Sequence, residues 1–177
     1  IRVISGYVDC IVLRHPDSGS AVTAAQISEV PVVNAGDGTN EHPTQTLIDL
    51  YAIYKTQHRL DDLNVALVGD LKYGRTVHSL AKGLSFFSNT SQYWVAPDAL
   101  RMPHDVKTTV TEHGAHIEET DNLAAIIADM DIVVMTRVQE ERLVRISTGE
   151  VNRILREAMM KHAPTSSGGK RLKIYFA

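Results

Sequence analysis

The chain has few of the residues that mark secreted, membrane or disulfide-stabilised proteins. Its 177 residues include one cysteine and one tryptophan, and aromatic residues make up 6% of the sequence. The single cysteine, Cys10, cannot form an internal disulfide, which favours a reducing compartment. No apolar run approaches the roughly 18 residues of a membrane span, and the first residues do not resemble a signal peptide. We therefore expect a cytoplasmic protein with no membrane partner.

What the sequence does contain is typical of a globular domain. Hydrophobic residues make up 44% and charged residues 22%, which disfavours disorder, collagen and coiled coil. Residues 1–141 carry 10 Lys/Arg against 19 Asp/Glu, whereas residues 142–177 carry 8 against 2. Such a change of sign often marks a change of module or a tail. The basic end has little aromatic interleaving, so we expect a solvated tail and no nucleic-acid partner.

Strands and helices alternate along the first part of the chain. Apolar, β-branched runs predict buried strands over residues 8–13 and 30–35, with a short helix over residues 21–27 between them. The pair His42-Pro43 predicts the start of a second helix, because the missing N–H of proline does no harm in a first turn. One side of that helix carries Leu47, Leu50, Tyr51 and Tyr54, and the opposite side carries His42, Gln45 and Asp49.

The second part alternates more regularly. Strands are predicted over residues 65–68, 93–96, 115–118 and 132–135, and helices over residues 76–84, 103–113 and 122–129. A capping box at residues 147–150 predicts a further helix, and alternation over residues 172–176 predicts a last strand. The order predicts an α/β fold with parallel βαβ units. We expect two parallel-sheet subdomains, an incomplete one over residues 1–58 and a second over residues 59–177, which meet at a cleft.

Arginines follow three of the predicted strands. Arg14 ends the first strand, Arg75 opens the helix after residues 65–68, and Arg137 follows residues 132–135. The carboxyl ends of parallel strands are where α/β proteins bind ligands, and guanidinium pairs bidentately with phosphate and carboxylate. Each arginine alone would more often be a solvated loop residue. The three together favour a site for anionic ligands.

Two further groups of polar residues lie near these positions. His42 and Gln45 are three residues apart at a helix start, where free N–H groups favour an anion or a polarised carbonyl oxygen. A capping histidine beside a surface glutamine explains this pair equally well. Arg137 can pair with Glu141 if the segment is helical, or share a face with Gln139 if it is extended. An ordinary exposed ion pair is the plainer alternative.

Residues 69–76 nearly match the phosphate-binding P-loop, with Arg75 in place of lysine. The segment follows a strand and opens a helix, as that pattern requires. Asp70, however, puts a negative charge inside the loop, and no apolar strand ends in an aspartate that would hold Mg²⁺. We therefore disfavour a nucleotide-binding protein. The histidines lack the spacing of a metal site, and we expect no metal and no cofactor.

Four segments resemble the catalytic chain of aspartate carbamoyltransferases, within the aspartate/ornithine carbamoyltransferase family. They are residues 7–16, ending Arg-His-Pro, residues 34–45, ending His-Pro-Thr-Gln, residues 68–79, with Gly-Asp-Leu-Lys-Tyr-Gly-Arg-Thr, and residues 135–142, with Thr-Arg-Val-Gln-Glu-Glu-Arg. His-Pro-x-Gln is shared by carbamoyltransferases generally, whereas the last two segments are typical of the aspartate branch. The resemblance covers about residues 1–142.

The resemblance implies that the carbamoyl group of carbamoyl phosphate is transferred to the amino group of L-aspartate, in pyrimidine biosynthesis. It implies that Arg14 binds the phosphate, His42 the carbamoyl oxygen and Gln45 the carbamoyl nitrogen, as the catalytic residues. The residues implied for aspartate are Arg75, Arg137 and Gln139, with Glu141, Lys72 and Tyr73 in support. The leaving phosphate would accept the amine proton. The family resemblance also implies a homotrimer and a possible regulatory chain.

The ends of the chain differ from the family pattern. The sequence begins at Ile1 without an initiator methionine, and the family's Ser-Thr-Arg-Thr-Arg phosphate loop and its Ser/Lys loop are absent. After Arg142 the sequence diverges, and it ends about where the family reads His-Pro-Leu-Pro-Arg. We interpret the chain as a truncated or divergent piece. The alternative function is a non-catalytic fragment that keeps the oligomer interface and part of the cleft.

Overall fold

A computed structural model describes residues 1–38 and 40–136, together with the backbone of residues 173–176. The architecture is α/β, with a two-stranded and a five-stranded sheet in which all strand pairs are parallel. The predicted fold class is therefore confirmed. The predicted helix after residues 147–150 lies outside the described residues.

The smaller sheet pairs β1 (Ile11–His15) with β2 (Val32–Asp37). A short helix that the sequence did not predict, α1 (Arg2–Ser5), precedes it, and α2 (Ser20–Ile27) connects the two strands. The register shifts between Leu13 and His15, so the end of β1 departs from the regular ladder where its polar residues begin. This sheet brings the loop after β1 beside the turn after β2.

The helix α3 (Pro43–Gln57) begins as predicted, with His42 as its N-cap and proline in the first turn. It ends at His58, which adopts the left-handed conformation with a φ of 58°. A left-handed residue commonly ends a helix, because the chain then turns away from the helix axis. The helix thus stops at residue 58, where the boundary between the two subdomains was predicted.

The larger sheet has the strand order β5-β4-β3-β6-β7. Its strands are β3 (Asn64–Val68), β4 (Ser91–Val95), β5 (His116–Thr120), β6 (Ile132–Met135) and β7 (Lys173–Phe176). The helices between them are α4 (Arg75–Leu84), α5 (His104–Glu112) and α6 (Leu123–Ile126), with 3₁₀ turns at Asp98–Leu100 and Ile127–Asp129. The strand order reverses between β3 and β6, and α/β sheets bind ligands at the carboxyl ends of strands at such a point.

The core lies on both faces of this larger sheet. Side chains of β3 alternate between the two faces, so Val65 and Leu67 join one buried cluster and Ala66 and Val68 join the other. Trp94 is 2% exposed, and its indole N–H donates to Gln92 over 3.1 Å. Gln92 donates in turn to the carbonyl of Ala81, so this polar group inside the core is satisfied. No helix in the described part of the chain is long and apolar enough to cross a membrane.

Neither of the two strands predicted as buried in the first part of the chain is fully buried, and Val33 in β2 is 39% exposed. The run over residues 8–13 is not a buried strand, because β1 begins at Ile11, Cys10 is exposed and Val12 is 69% exposed. A sheet of two strands leaves much of its surface uncovered, whereas an apolar run signals burial most reliably in the centre of a larger sheet.

Most of the apolar side of α3 is also exposed, although Leu50 packs against the core. Leu47 is 67% and Tyr51 62% exposed, and the buried residues of the helix are Thr46 and Ile53. The reason is that α3 packs on α4 through the Thr46 face, where a Cβ on Gly83 would lie 2.6 Å from the Thr46 methyl. The close contact of α3 with α4 at Gly83 therefore determines which face of α3 is buried.

Candidate active site

A cavity of about 480 Å³ lies where the two parts of the chain meet. Its lining comprises Arg14, His15, Pro16, Gly38 and Arg75. Arg14 is near the end of β1, Gly38 follows β2, and Arg75 begins α4 after β3. The carboxyl ends of strands from both sheets thus contribute to one cavity, and two of the three arginines singled out in the sequence line it.

The turn after β2 is organised by Asp37, a residue that the sequence did not single out. Its carboxylate accepts hydrogen bonds from the backbone N–H groups of Gly19 and Glu41 and from the side-chain amides of Asn34 and Asn40, at 2.9 to 3.1 Å. Burial raises the pKa of the Asp37 carboxyl, but these four hydrogen bonds outweigh it and lower the pKa to about 2. The carboxylate therefore stays ionised at neutral pH. The Asn-x-x-Asp-x-x-Asn spacing of residues 34–40 is the sequence pattern from which the role of Asp37 could have been predicted.

Gly38 joins this turn to the loop after β1 and to α4. Its φ is +59°, and a Cβ there would lie 2.4 Å from the carbonyl oxygen of Pro16. No side chain larger than hydrogen fits at such a distance. The carbonyl of Gly38 accepts a hydrogen bond from Nη1 of Arg75. The guanidinium group of Arg75 thus contacts the glycine turn directly, across the junction of the two parts of the chain.

The N-cap bonding of His42 defines the state of its ring. Nδ1 accepts from the backbone N–H of Gln45 over 3.2 Å and lies 3.3 Å from the hydroxyl of Thr44. Because Nδ1 accepts, the proton of the neutral imidazole lies on Nε2, which is then a hydrogen-bond donor. Gly36, with a φ of +112°, leaves room for the ring, since a Cβ there would lie 3.0 Å from Cδ2. His42 therefore offers one N–H from a fixed ring.

Gln45 lies one turn before Asp49 on the same side of α3. The Gln45 amide nitrogen Nε2 donates to Oδ1 of Asp49 over 2.9 Å. Oδ2 of Asp49 is buried and has no hydrogen-bond partner among the described residues. Burial raises the pKa of the Asp49 carboxyl, while the hydrogen bond from Gln45 and the nearby His42 act in the opposite direction.

The start of α3 is tied to α4 by groups that the sequence reading missed. Ser79 accepts a hydrogen bond from the backbone N–H of His42 over 3.1 Å, and Lys82 pairs with Glu41 over 2.7 Å. Arg75, Ser79 and Lys82 are four and three residues apart, so they share one face of α4. This polar stripe on an otherwise buried helix was a signal that could have identified them.

The loop between β3 and α4 does not form a phosphate cradle. A P-loop directs its backbone N–H groups at the ligand, but here the N–H of Asp70 donates to the hydroxyl of Thr136 and that of Leu71 to the carbonyl of Leu100. The N–H of Tyr73 donates to the carboxylate of Asp70, which is 6% exposed. These donors are used inside the protein. One premise against a nucleotide-binding protein is nevertheless wrong, because β2 does end in an aspartate, Asp37.

The remaining predicted residues divide into two groups. Lys72 and Tyr73 are exposed, with the Lys72 ammonium 5.3 Å from the centre of the Tyr73 ring. Arg137, Gln139 and Glu141 lie outside the described residues. Within the ranges that the structure describes, no group of three or more His, Cys, Asp or Glu side chains is arranged to hold a metal ion.

Comparison with known proteins shows the family of this chain. Residues 1–55 match the carbamoyl-phosphate-binding domain of the aspartate/ornithine carbamoyltransferases, and residues 61–167 match the Asp/Orn-binding domain of that family. The aspartate carbamoyltransferase catalytic subunit of Vibrio cholerae is 54% identical over 143 residues, which are 80% of this chain and 46% of that protein. The chain therefore spans about half the length of this relative.

Solved structures show the same similarity. The catalytic subunit of M. jannaschii aspartate transcarbamoylase is 42% identical with a TM-score of 0.78, and the match covers 99% of this chain and 56% of that one. Trypanosoma cruzi aspartate transcarbamoylase in complex with N-(phosphonacetyl)-L-aspartic acid is 31% identical with a TM-score of 0.76, over 99% and 56% of the two chains. The same protein in complex with carbamoyl phosphate and aspartate gives a TM-score of 0.75 at 31% identity, over 99% and 55%. The chain belongs to the aspartate/ornithine carbamoyltransferase family.

Proposed function

We propose that the protein to which this chain belongs transfers the carbamoyl group of carbamoyl phosphate to the amino group of L-aspartate. The observation that carries the proposal is the cavity that Arg14 and Arg75 line together. Carbamoyl phosphate is an anion and aspartate has two carboxylates, and guanidinium groups bind both kinds of ligand. Membership of a family with carbamoyl-phosphate-binding and Asp/Orn-binding domains supports the same chemistry.

On the carbamoyl phosphate side, the proposed catalytic residues are Arg14, His42 and Gln45. Arg14 pairs with the phosphate and polarises the carbamoyl group. His42 donates its Nε2–H to the carbamoyl oxygen, which is the donor that its N-cap bonding leaves for a ligand. Gln45 orients the carbamoyl nitrogen. The support for these roles is the position of all three at the carboxyl ends of β1 and β2 or in the first turn of α3.

On the aspartate side, Arg75 binds one carboxylate from the start of α4. The residues proposed with it are Arg137 and Gln139 as carboxylate ligands, Glu141 to position Arg137, and Lys72 and Tyr73 in support. An arginine on each carboxylate would select a dicarboxylate over a monocarboxylate amino acid, because a missing carboxylate leaves a cation unpaired. Replacing Arg137 by alanine is therefore expected to weaken aspartate use far more than carbamoyl phosphate binding.

The proposed reaction needs no nucleophilic side chain. The aspartate nitrogen forms a bond to the carbamoyl carbon, the bond from that carbon to the phosphate oxygen breaks, and the leaving phosphate takes the amine proton. Negative charge that develops on the carbamoyl oxygen is stabilised by Arg14 and His42. Binding both substrates in one cleft supplies the remaining rate acceleration, because the reaction between them then becomes effectively intramolecular.

The family resemblance supports several finer proposals. These are a role in pyrimidine biosynthesis, a cytoplasmic location, a homotrimer with a possible regulatory chain, and a division into subdomains over residues 1–58 and 59–177. The division is supported by the end of α3 at His58 and by the separate family matches on either side of it. A carbamoyl transfer to aspartate places the protein after a reaction that makes carbamoyl phosphate.

A non-catalytic fragment is the second candidate. Its support is that apolar side chains such as Leu47 and Tyr51 are exposed, as they would be before an oligomer interface forms over them. Such a piece would keep an oligomer interface and part of the cleft without performing the reaction.

A colorimetric assay for N-carbamoyl-L-aspartate on the purified chain separates the two candidates. Product formation that Arg14→Ala lowers at least 100-fold supports carbamoyl transfer. A folded, oligomeric sample with no turnover supports the fragment. The matched control is Asp105→Asn, because Asp105 is exposed in the first turn of α5 and does not line the cavity. Its activity should equal that of the unsubstituted chain.

A further inference from the structure

The hydrogen bond between Gln45 and Asp49 determines which way the Gln45 amide faces. An ionised carboxylate accepts hydrogen bonds and donates none. Asp49 must therefore receive the NH₂ end of the amide, as observed over 2.9 Å. The opposite end of the amide, Oε1, is then directed away from Asp49. The Asp49 carboxylate thus leaves Oε1 of Gln45 as the hydrogen-bond acceptor for a ligand.

Asp49 is a poor choice for stability alone. Its Oδ2 is enclosed without a hydrogen-bond partner among the described residues, and such a group is costly to bury. The hydrogen bond between Gln45 and Asp49, one turn apart on the helix, adds little stability to offset that cost. The same burial raises the pKa of the Asp49 carboxyl. A role other than packing would account for a carboxylate at this position.

The first turn of α3 offers two complementary groups. His42 presents the donor Nε2–H, because its Nδ1 accepts from the backbone N–H of Gln45. Gln45 presents the acceptor Oε1, because its Nε2 donates to Asp49. A carbamoyl group carries one acceptor oxygen and one donor NH₂ on the same carbon. The pair of protein groups therefore matches a carbamoyl group, and the match is lost if the Gln45 amide turns over.

We propose that Asp49 is a positioning residue that holds the Gln45 amide with Oε1 towards the amino group of carbamoyl phosphate. Asp49 acts through Gln45 and does not touch the ligand. In this role it favours a carbamoyl group over an acyl group of the same shape that has no N–H to donate. The inference rests on the proposed function and adds a determinant of specificity to it.

The test uses two ligands that differ at one group. Acetyl phosphate has a methyl group where carbamoyl phosphate has its amino group, with the same phosphate. Asp49→Asn keeps the side-chain shape but adds an NH₂ that can donate to Oε1 of Gln45, so the amide can turn over. Dissociation constants are measured by titration calorimetry for both ligands on the purified chain. We expect Asp49→Asn to weaken carbamoyl phosphate about tenfold, which is about 1.4 kcal/mol, and to change acetyl phosphate less than twofold.

A double-mutant cycle keeps the test independent of folding effects. In a Gln45→Ala chain, Asp49→Asn should no longer change carbamoyl phosphate binding, because the residue through which Asp49 acts is gone. The charge control is again Asp105→Asn, which removes an exposed aspartate from the first turn of α5.

Each other outcome has a definite meaning. Equal weakening of both ligands, or an unchanged affinity for carbamoyl phosphate, overturns the role of Asp49. An undiminished effect in the Gln45→Ala chain does the same. If the unsubstituted chain binds neither phosphate, the proposed function is contradicted and the role of Asp49 falls with it.

Discussion

The two parts of the described chain bury their apolar side chains very differently. The buried apolar side chains in residues 1–58 are Ile11, Ala21, Ala24 and Ile53, and all the others lie in residues 59–136. Among the large hydrophobic side chains that are exposed, all except Tyr73 and Phe86 lie in residues 1–58. The difference follows from the sheets. Among the described strands, β3 has neighbours on both sides and core clusters on both faces, whereas β1 and β2 have one neighbour each.

The two parts of the chain contribute differently to stability and to ligand binding. The larger sheet and its helices supply most of the buried apolar surface, which is the main favourable term in folding. The smaller part supplies Arg14, His42 and Gln45, three of the proposed substrate contacts. It is anchored on α4, through Ser79 and Lys82. We infer that the ligand groups of the first part depend on the second part for their positions.

The largest expected effect tests the difference in burial directly. Leu67 is 0% exposed on β3, whereas Leu47 is 67% exposed on α3. Leu67→Ala should lower the free energy of unfolding by roughly 2–5 kcal/mol, because a buried leucine leaves a cavity. Leu47→Ala, the matched control, should change it by less than about 0.5 kcal/mol. Denaturant unfolding followed by the fluorescence of the buried Trp94 measures both. Similar losses for the two variants would contradict the comparison.

The next effect lies in the first part and depends on pH. Asp37 has a pKa of about 2 in the folded chain against its usual 3.8. Because the folded value is the lower one, the stability it contributes is complete above about pH 4 and is lost as the pH falls through 2. Asp37→Asn should therefore lower the free energy of unfolding by about 2 kcal/mol at pH 6.

The same comparison at low pH provides the control. Near pH 2 the unsubstituted chain and Asp37→Asn should converge, as circular dichroism can measure. A difference that is the same at pH 6 and near pH 2 would mean that the charge of Asp37 does not hold the turn.

The smallest effect tests the anchoring of α3 on α4. Gly83→Ala places a methyl group 2.6 Å from the Thr46 methyl, which should destabilise the chain by about 1 kcal/mol after the gain in helix propensity is subtracted. In a Thr46→Ala chain the clash is removed, and Gly83→Ala should then stabilise by up to about 1 kcal/mol. Thermal unfolding of the four chains measures this reversal. The same sign in both backgrounds would show that the two helices do not touch at this point.

Local signals in the sequence predicted the elements well. The alternation of strands and helices and the start of α3 at His42-Pro43 both depend on neighbouring residues. The resemblance to the family is confirmed by matches over residues 1–55 and 61–167. The meeting of Arg14 and Arg75 followed from the rule that ligand groups gather at strand ends.

Features that depend on distant contacts were not predicted. The apolar residues of α3 have the spacing of an amphipathic helix, yet Leu47 and Tyr51 are exposed because α3 meets α4 at Thr46 and Gly83. Asp37 gathers partners from both loops at the ends of β1 and β2, and Ser79 bonds to a residue 37 positions away. Spacing along the chain does not reveal such contacts. The roles of Arg137, Gln139 and Glu141 stay predictions, because they lie outside the described residues.

The central claim is that one cleft binds phosphate through the first part of the chain and a dicarboxylate through the second. Titration calorimetry with inorganic phosphate and with N-(phosphonacetyl)-L-aspartic acid, the ligand in a related structure, tests it most directly. We expect Arg14→Ala to weaken both ligands at least tenfold, and Arg75→Ala to weaken the larger ligand at least tenfold while changing phosphate less than twofold. Equal effects of Arg75→Ala on the two ligands, or no binding of either to the unsubstituted chain, would contradict the claim.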